Sequence, residues 1–351
     1  MKMGLKLISP GKEKWNEFAD SNTHSTVFQK YEMADAYNKA GNRVGIRLAV
    51  SNEEEKLLAC MLVKIESKKF FKPLTSVSIV ENGPLYEDSE HGRKAAEFLI
   101  KHYDKYIRRK ALYSSAKVDN DNFLERLYES EGYSRTACLN FEISLNKDPD
   151  IVFRAIHKSR RKNIRKAAKN GLEIIESDKS SLPGFYKLVK ETYGKVGVLI
   201  PDIDFFNAVF DLMPENVKLF LAMYEGKCIA GRIALLHKKK IFDFYSGASS
   251  EYLNLFPNDA LVWHVLEYGC KNGYELFDFQ GAGVPDEEYG VREFKKRFGG
   301  QLVNSSYFKK IHRPLMASLG ARLFSVYRKV FEQNSKPSSG GFGNEQAKKE
   351  I

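Results

Sequence analysis

Apolar and polar positions along this 351-residue chain follow an order of periods that occurs twice. In the first half, Lys12 to Asp20 and Tyr31 to Lys39 have the spacing of short amphipathic helices. Arg47 to Val50 and Leu57 to Ile65 read as strands joined by the polar turn Asn52-Glu53-Glu54-Glu55. Ser76 to Val80 predicts a third strand, ending at Asn82-Gly83-Pro84. Gly92 to Arg109 predicts a long helix, Leu112 to Ala116 a strand, Asn122 to Glu131 a helix closed by Gly132, and Ala137 to Leu145 a last strand. The second half repeats the order. Leu219 to Tyr224 and Cys228 to Leu236 flank Glu225-Gly226-Lys227, and Ile241 to Tyr245 follows. Then come the helix Asn258 to Lys271, the strand Leu276 to Gln280, the short helix Val291 to Phe298 closed by Gly299, and the strand Leu302 to Lys309. Hairpin, strand, long helix, strand, short helix, glycine, strand occurs twice, so one α/β unit is duplicated.

Length supports the same division, since a chain of this size divides into units of roughly 150 residues. The first unit is expected over 1–147 with 310–334 and the second over 148–309. Residues 335–351 hold almost nothing to bury and are expected to be disordered. Pro314 to Glu332 predicts a helix with Leu315, Met316, Leu319, Leu323, Val326 and Val330 in one stripe. Packing on the first unit is its expected use, with a peripheral membrane contact as the other.

Charge narrows the partners. A net charge of +11 points to a polyanion such as RNA, a nucleotide, CoA or an anionic membrane surface. No apolar run reaches the roughly 20 residues needed to span a bilayer, and no secretory leader is visible, so a soluble cytoplasmic protein is expected. Cys60, Cys138, Cys228 and Cys270 have no metal or redox spacing, and the seven histidines are scattered, so no metal site is expected.

Several stretches carry candidate chemistry. Between Arg154 and Lys169 lie Arg160, Arg161, Arg165 and five further cations on an expected helix, which suits either phosphate contact or a solvated face. Asp278-Phe279-Gln280-Gly281-Ala282-Gly283 ends a strand in a glycine turn, and Arg292, Phe294 and Lys295 follow on a short helix. Phe294 and Phe298 share its core face, so Lys295 is expected at the rim, pointing into a cleft or snorkelling to water. Asp286, Glu287 and Glu288 offer a general base or a solvated loop. Tyr245 beside Ser246-Gly247-Ala248-Ser249 suits a substrate groove or edge packing, and Tyr86 and Glu87 are its counterparts in the first half.

Read together, these segments resemble the FemABX family of peptidoglycan bridge-forming aminoacyltransferases. The resemblance rests on Val27-Phe28-Gln29 after Trp15 and Phe18, Gly83-Pro84, Ser159 to Ala167 leading to Gly171-Leu172, Tyr245 with Gly247-Ala248-Ser249, and Gly290 to Gly300. It implies a fold of two GNAT-like units in tandem, each a mixed, mostly antiparallel sheet with flanking helices. It also implies transfer of an amino acid from aminoacyl-tRNA to an amine of a peptide or cell-wall precursor, without metal or organic cofactor. By the same resemblance Lys295 stabilises the oxyanion and Phe294 shapes its pocket, while Arg160, Arg161, Arg165, Arg292, Tyr245, Tyr86 and Glu87 are expected to bind substrate. The chain departs from the family pattern at Asp35-Ala36-Tyr37, and at Pro201 and Phe205, where muropeptide-binding members carry lysine and arginine. The alternative is a CoA-dependent N-acyltransferase of the GNAT class. Its Gln/Arg-x-x-Gly-x-Gly/Ala phosphate turn has no clean copy here.

Overall fold

The structure is a computed structural model that describes residues 4–67, 72–146, 148–285 and 290–319. In chain order its elements are β1 (Lys6–Ile8), α1 (Lys12–Ser21), α2 (Tyr31–Lys39), β2 (Arg43–Ser51), β3 (Leu57–Glu66), α3 (Lys72–Thr75), β4 (Val77–Glu81), β5 (Leu85–Tyr86), α4 (Glu90–Ile107), β6 (Tyr113–Val118) and α5 (Asn122–Ser130). There follow β7 (Ser134–Ser144), α6 (Pro149–Ala155), α7 (Lys158–Lys169), β8 (Glu173–Ser177), α8 (Leu182–Lys195), α9 (Ile203–Leu212), β9 (Val217–Tyr224), β10 (Lys227–His237), β11 (Lys240–Ala248), α10 (Pro257–Lys271), β12 (Leu276–Gly281), α11 (Gly290–Lys296) and β13 (Gln301–Ile311).

Two compact units result. Unit 1 takes the chain up to Ala137 and again from Ser305, and unit 2 takes Cys138–Asn304. In unit 1 the sheet runs β1-β2-β3-β4-β6-β13, with β5 beside β3. Its core forms because α4 repeats Ala95, Ala96, Leu99, Ile100, Tyr103 and Ile107 at helical spacing. That stripe meets Val50, Leu58, Met61, Val80 and Phe308 from the strands. Burying one such leucine contributes about 2 kcal/mol. Ser89 caps α4, its hydroxyl accepting from Gly92 N at 3.0 Å. A Cβ at Gly92 would overlap the carbonyl of Glu87, so the segment before α4 lies hard against the helix start.

In unit 2 the sheet runs β8-β9-β10-β11-β12-β7. Phe220, Ile241, Phe277 and Phe279 meet Leu261, Val262, Val265 and Leu266 of α10, and Phe298 joins them after α11. On another face, Gly247 of β11 leaves room for the backbone of α8, since a Cβ there would lie 2.5 Å from Val189 N.

Strand partners differ from the simple repeat. The sequence pattern ends each half with its own last strand, yet β7 pairs antiparallel with β12 of unit 2, from Leu276↔Ser144 to Gly281↔Asn140. In turn β13 pairs with β6 of unit 1, from Ser306↔Val118 to Ile311↔Tyr113. Alternation decides which face of a strand is buried but not which neighbour it takes.

The acidic cluster Asp286, Glu287 and Glu288, the tail 335–351 and most of the helix expected over 314–332 lie outside the described residues. Residues 314–319 are helical, with Leu315 86% exposed. No helix among the described residues is long and apolar enough to cross a membrane.

Candidate functional site

β12 is the base of the site. Phe277 and Phe279 alternate into the core, with ring centroids 4.7 Å apart. The parallel pairing of β11 with β12 runs from Lys240↔Leu276 to Phe242↔Asp278 and stops there, although both strands continue. Against β7 the register shifts between Asp278 and Gly281, a β-bulge. At the bulge Gln280 adopts φ 60°, a left-handed conformation costly for a side-chain-bearing residue. The buried Asp278 carboxylate supports the turn, accepting from Gln280 N at 2.7 Å and from Asn140 Nδ2 at 2.6 Å.

Lys295 meets this bulge from α11. It is 9% exposed, and its Nζ donates to the carbonyls of Phe279 at 2.7 Å, Gly281 at 2.8 Å and Gln280 at 3.4 Å. An ammonium tolerates burial when charge-assisted hydrogen bonds replace its water. The helix is thus turned further inward than the phenylalanine spacing predicts: Lys295 is buried, whereas Phe294 is partly covered and packs on Phe298 at 5.1 Å. Arg292 grips the next stretch of backbone. Its Nε donates to Ala282 O at 2.9 Å, its Nη1 to Pro285 O at 3.2 Å, and its Nη2 to Val284 O.

The cations of α7 divide into two sets. Arg160 turns inward, its side chain 12% exposed, and Nη1 donates to Asp259 Oδ1 at 3.2 Å and Oδ2 at 3.3 Å. Its guanidinium lies 4.5 Å above the ring of Phe294. Arg165 stays exposed, 5.3 Å from the Phe153 ring, and half-buried Arg161 donates from Nη1 to Arg154 O at 2.9 Å. Lys158, Lys162, Lys166 and Lys169 are exposed beside them. Asp259 and its bond to Arg160 escaped the sequence reading. The signal was an aspartate in the first turn after Pro257, which reads as a favourable dipole charge rather than as half of an ion pair.

Tyr245 lies on β11 beyond its last pair with β12, in a cluster with Phe244, Phe206 and Tyr193 at 4.6, 5.1 and 5.6 Å. Burial, and then Tyr245 and Asp243, push the Tyr193 phenol up and keep it neutral. On the same strand Asp243 forms an ion pair with the buried Arg232 of β10.

Tyr86 and Glu87 belong to unit 1. They line a cleft of about 580 Å³ with Lys14, Glu17, Phe18 and Lys56. The Tyr86 hydroxyl donates to Asp121 Oδ2 at 2.9 Å, and Glu87 pairs with Lys56, which holds its carboxyl below the usual range. Among the described residues no group of three or more His, Cys, Asp or Glu is placed to hold a metal ion.

Residues 158–296 match the family described as Acetyltransferase (GNAT) domain. Lipid II:glycine glycyltransferase of Staphylococcus aureus is 21% identical over 45% of this chain and 55% of its own length, so the chain spans about half the length of the curated relatives it matches. Among solved structures, FemX superposes with a TM-score of 0.68 at 16% identity, covering 90% of this chain and 99% of FemX. The tandem GNAT protein from the clavulanic acid biosynthesis pathway, solved without AcCoA, gives 0.59 at 9% identity, covering 88% and 99%. The fold is the expected one, two GNAT units in tandem.

Proposed function

From a chain that has the FemX-like tandem GNAT fold and is distantly homologous to lipid II:glycine glycyltransferase, we propose acyl transfer to an amine. In its specific form the donor is aminoacyl-tRNA and the acceptor an amine of a peptide or cell-wall precursor. One observation carries this reading: a buried ammonium, Lys295, at the bulge of β12, just past the point where β11 and β12 stop pairing.

The chemistry uses that charge. The acceptor nitrogen attacks the ester carbonyl of the donor, a C–N bond forms, and the carbonyl oxygen becomes an oxyanion. Collapse breaks the C–O bond, and the proton lost by the amine nitrogen ends on the tRNA oxygen, which leaves as a hydroxyl. Lys295 stabilises the oxyanion by exchanging its 3.4 Å contact to Gln280 O for the new charge. A preplaced cation sheltered from water lowers such a barrier by roughly 3 kcal/mol. Phe294 and Tyr245 supply apolar walls. Arg161 and Arg165, with the exposed lysines of α7, face the phosphates of the donor. Arg292 acts from behind, fixing the loop after the bulge. Tyr86 and Glu87, with the unit 1 cleft that they line, are assigned to substrate binding.

A CoA thioester is the second donor reading. It is favoured by the start of α10, where Phe256 at φ 59° leaves the helix without a side-chain cap and Lys166 lies 5.2 Å from the Phe256 ring. A donor screen decides between the two: charged tRNA against acyl-CoA, with an amine acceptor followed by mass. Charged tRNA is expected to give the product. Arg161→Glu with Arg165→Glu is expected to flatten the dependence of log K on log salt by about 1.5. Acyl-CoA turnover without RNA binding at low salt assigns the chain to the CoA class instead.

A further inference from the structure

Asp259 and Arg160 form a buried ion pair outside the reacting groups. It joins two helices to a third: Asp259 stands in the first turn of α10, Arg160 is on α7, and the Arg160 guanidinium covers the ring of Phe294 on α11. Phe294 directly precedes Lys295. All four side chains belong to unit 2.

The need for such a link follows from the size of α11. Seven residues are too few for a helix to hold itself, because nucleation is unfavourable and isolated helices below about 12 residues are marginal in water. Its orientation therefore depends on what its side chains touch. Arg292 ties its first turn to the carbonyls of Ala282 and Pro285, and His157 N donates to Arg297 O at 2.8 Å just past its end. Between these two ties, the Phe294 ring is held by Phe298 on one contact and by Arg160 on the other.

The pair is also not simply a stability device. Arg160 Nε is buried with no hydrogen-bond partner, so the guanidinium is incompletely satisfied. An apolar contact would have served packing at lower desolvation cost. What the charged pair adds is direction. The carboxylate fixes the plane of the guanidinium, and the guanidinium fixes the ring beneath it.

We propose that Asp259 is a positioning residue: by holding Arg160 over Phe294 it fixes α11, and so sets the Lys295 ammonium at the bulge of β12. This inference rests on the transfer role of Lys295 argued above. Asp259 touches no reacting atom.

The test is a double-mutant cycle with full-length protein, scored on kcat with the donor that turns over, alongside amide exchange of residues 290–296. Asp259→Asn is expected to lower kcat about tenfold with both KM values within about twofold. Its exchange at 290–296 is expected to rise while exchange in β9 and β10 stays unchanged. In a Lys295→Ala background Asp259→Asn is expected to add no further loss. Asp259→Glu, which keeps the charge, should recover part of the activity. Phe294→Leu, which keeps the ion pair and removes the ring face, should reproduce the kcat loss if Asp259→Asn fails to fold. Multiplying effects of Asp259→Asn and Lys295→Ala, or unchanged exchange at 290–296, overturns the inference. If Lys295→Ala leaves transfer intact, the proposed function loses its mechanism, and the exchange measurement still decides whether Asp259 holds α11.

Discussion

In unit 1 the parallel strands β4 and β6 stay paired from Val77↔Tyr113 to Glu81↔Lys117, whereas in unit 2 β11 and β12 release each other after Phe242↔Asp278. The helix that follows behaves in parallel. α4 starts under a serine cap with the Glu87 carbonyl pressed on Gly92, and α10 starts at a left-handed Phe256 without a side-chain cap. A third difference sits on the short helices. Counted back from the left-handed glycines Gly132 and Gly299, the same position is Tyr128 in unit 1 and Lys295 in unit 2. Tyr128 is buried and donates its hydroxyl to Gly83 O at 2.8 Å, a neutral bond in place of a charged one. One scaffold is closed and the other opened, and at this matched position the opened copy carries the cation.

Substitutions at the matched position should separate the two copies most sharply. Lys295→Met is expected to lower transfer by about a hundredfold, near 2.7 kcal/mol, in a steady-state assay, with the protein still folded by circular dichroism. Tyr128→Phe should leave transfer unchanged and cost about 1 kcal/mol in urea unfolding. Equal losses from both would erase the distinction.

The closed start of α4 comes next in size. Gly92→Ala would drive a methyl into the Glu87 carbonyl, and a loss of about 2–3 kcal/mol in urea unfolding is expected, without effect on donor KM. A neutral result would mean that unit 1 is less tightly sealed than its geometry shows.

The smallest effect is one of pH. His312 follows β13 and bonds Ser114 at 2.6 Å, in a chain of hydroxyls through Tyr103 to Ser78. Burial lowers its imidazole below the ordinary 6.5, so as pH falls through that value the unfolded chain binds a proton that the folded one does not. Stability should therefore decline below about pH 6.5, by under about 1 kcal/mol because the half-buried ring is screened by water. His312→Gln should flatten that part of the melting-temperature profile.

Much of this was legible in the chain. Period-two and period-3.6 patterns marked the two hairpins, α4, α10 and the closing glycines, since each depends on residues close in sequence. Lys295 stood out through the resemblance carried by Gly290 to Gly300, since spacing alone put it only at the rim of the Phe294 and Phe298 face. Its burial did not, because that depends on carbonyls exposed by a bulge fourteen to sixteen residues away. Arg160 looked like its neighbours for the same reason. What separates it from Arg161 and Arg165 is Asp259, 99 positions along the chain. The partners of β7 and β13 were equally hidden, since pairing across such distances leaves no local trace.

That pairing has a consequence for how the molecule is made. A nascent chain reaching residue 300 already holds β7 to β12 but still lacks the strand that pairs with β6. Until β13 leaves the ribosome, the edge of β6 stays bare, although the rest of its sheet was synthesised first. The half that is translated earlier is therefore the one completed later.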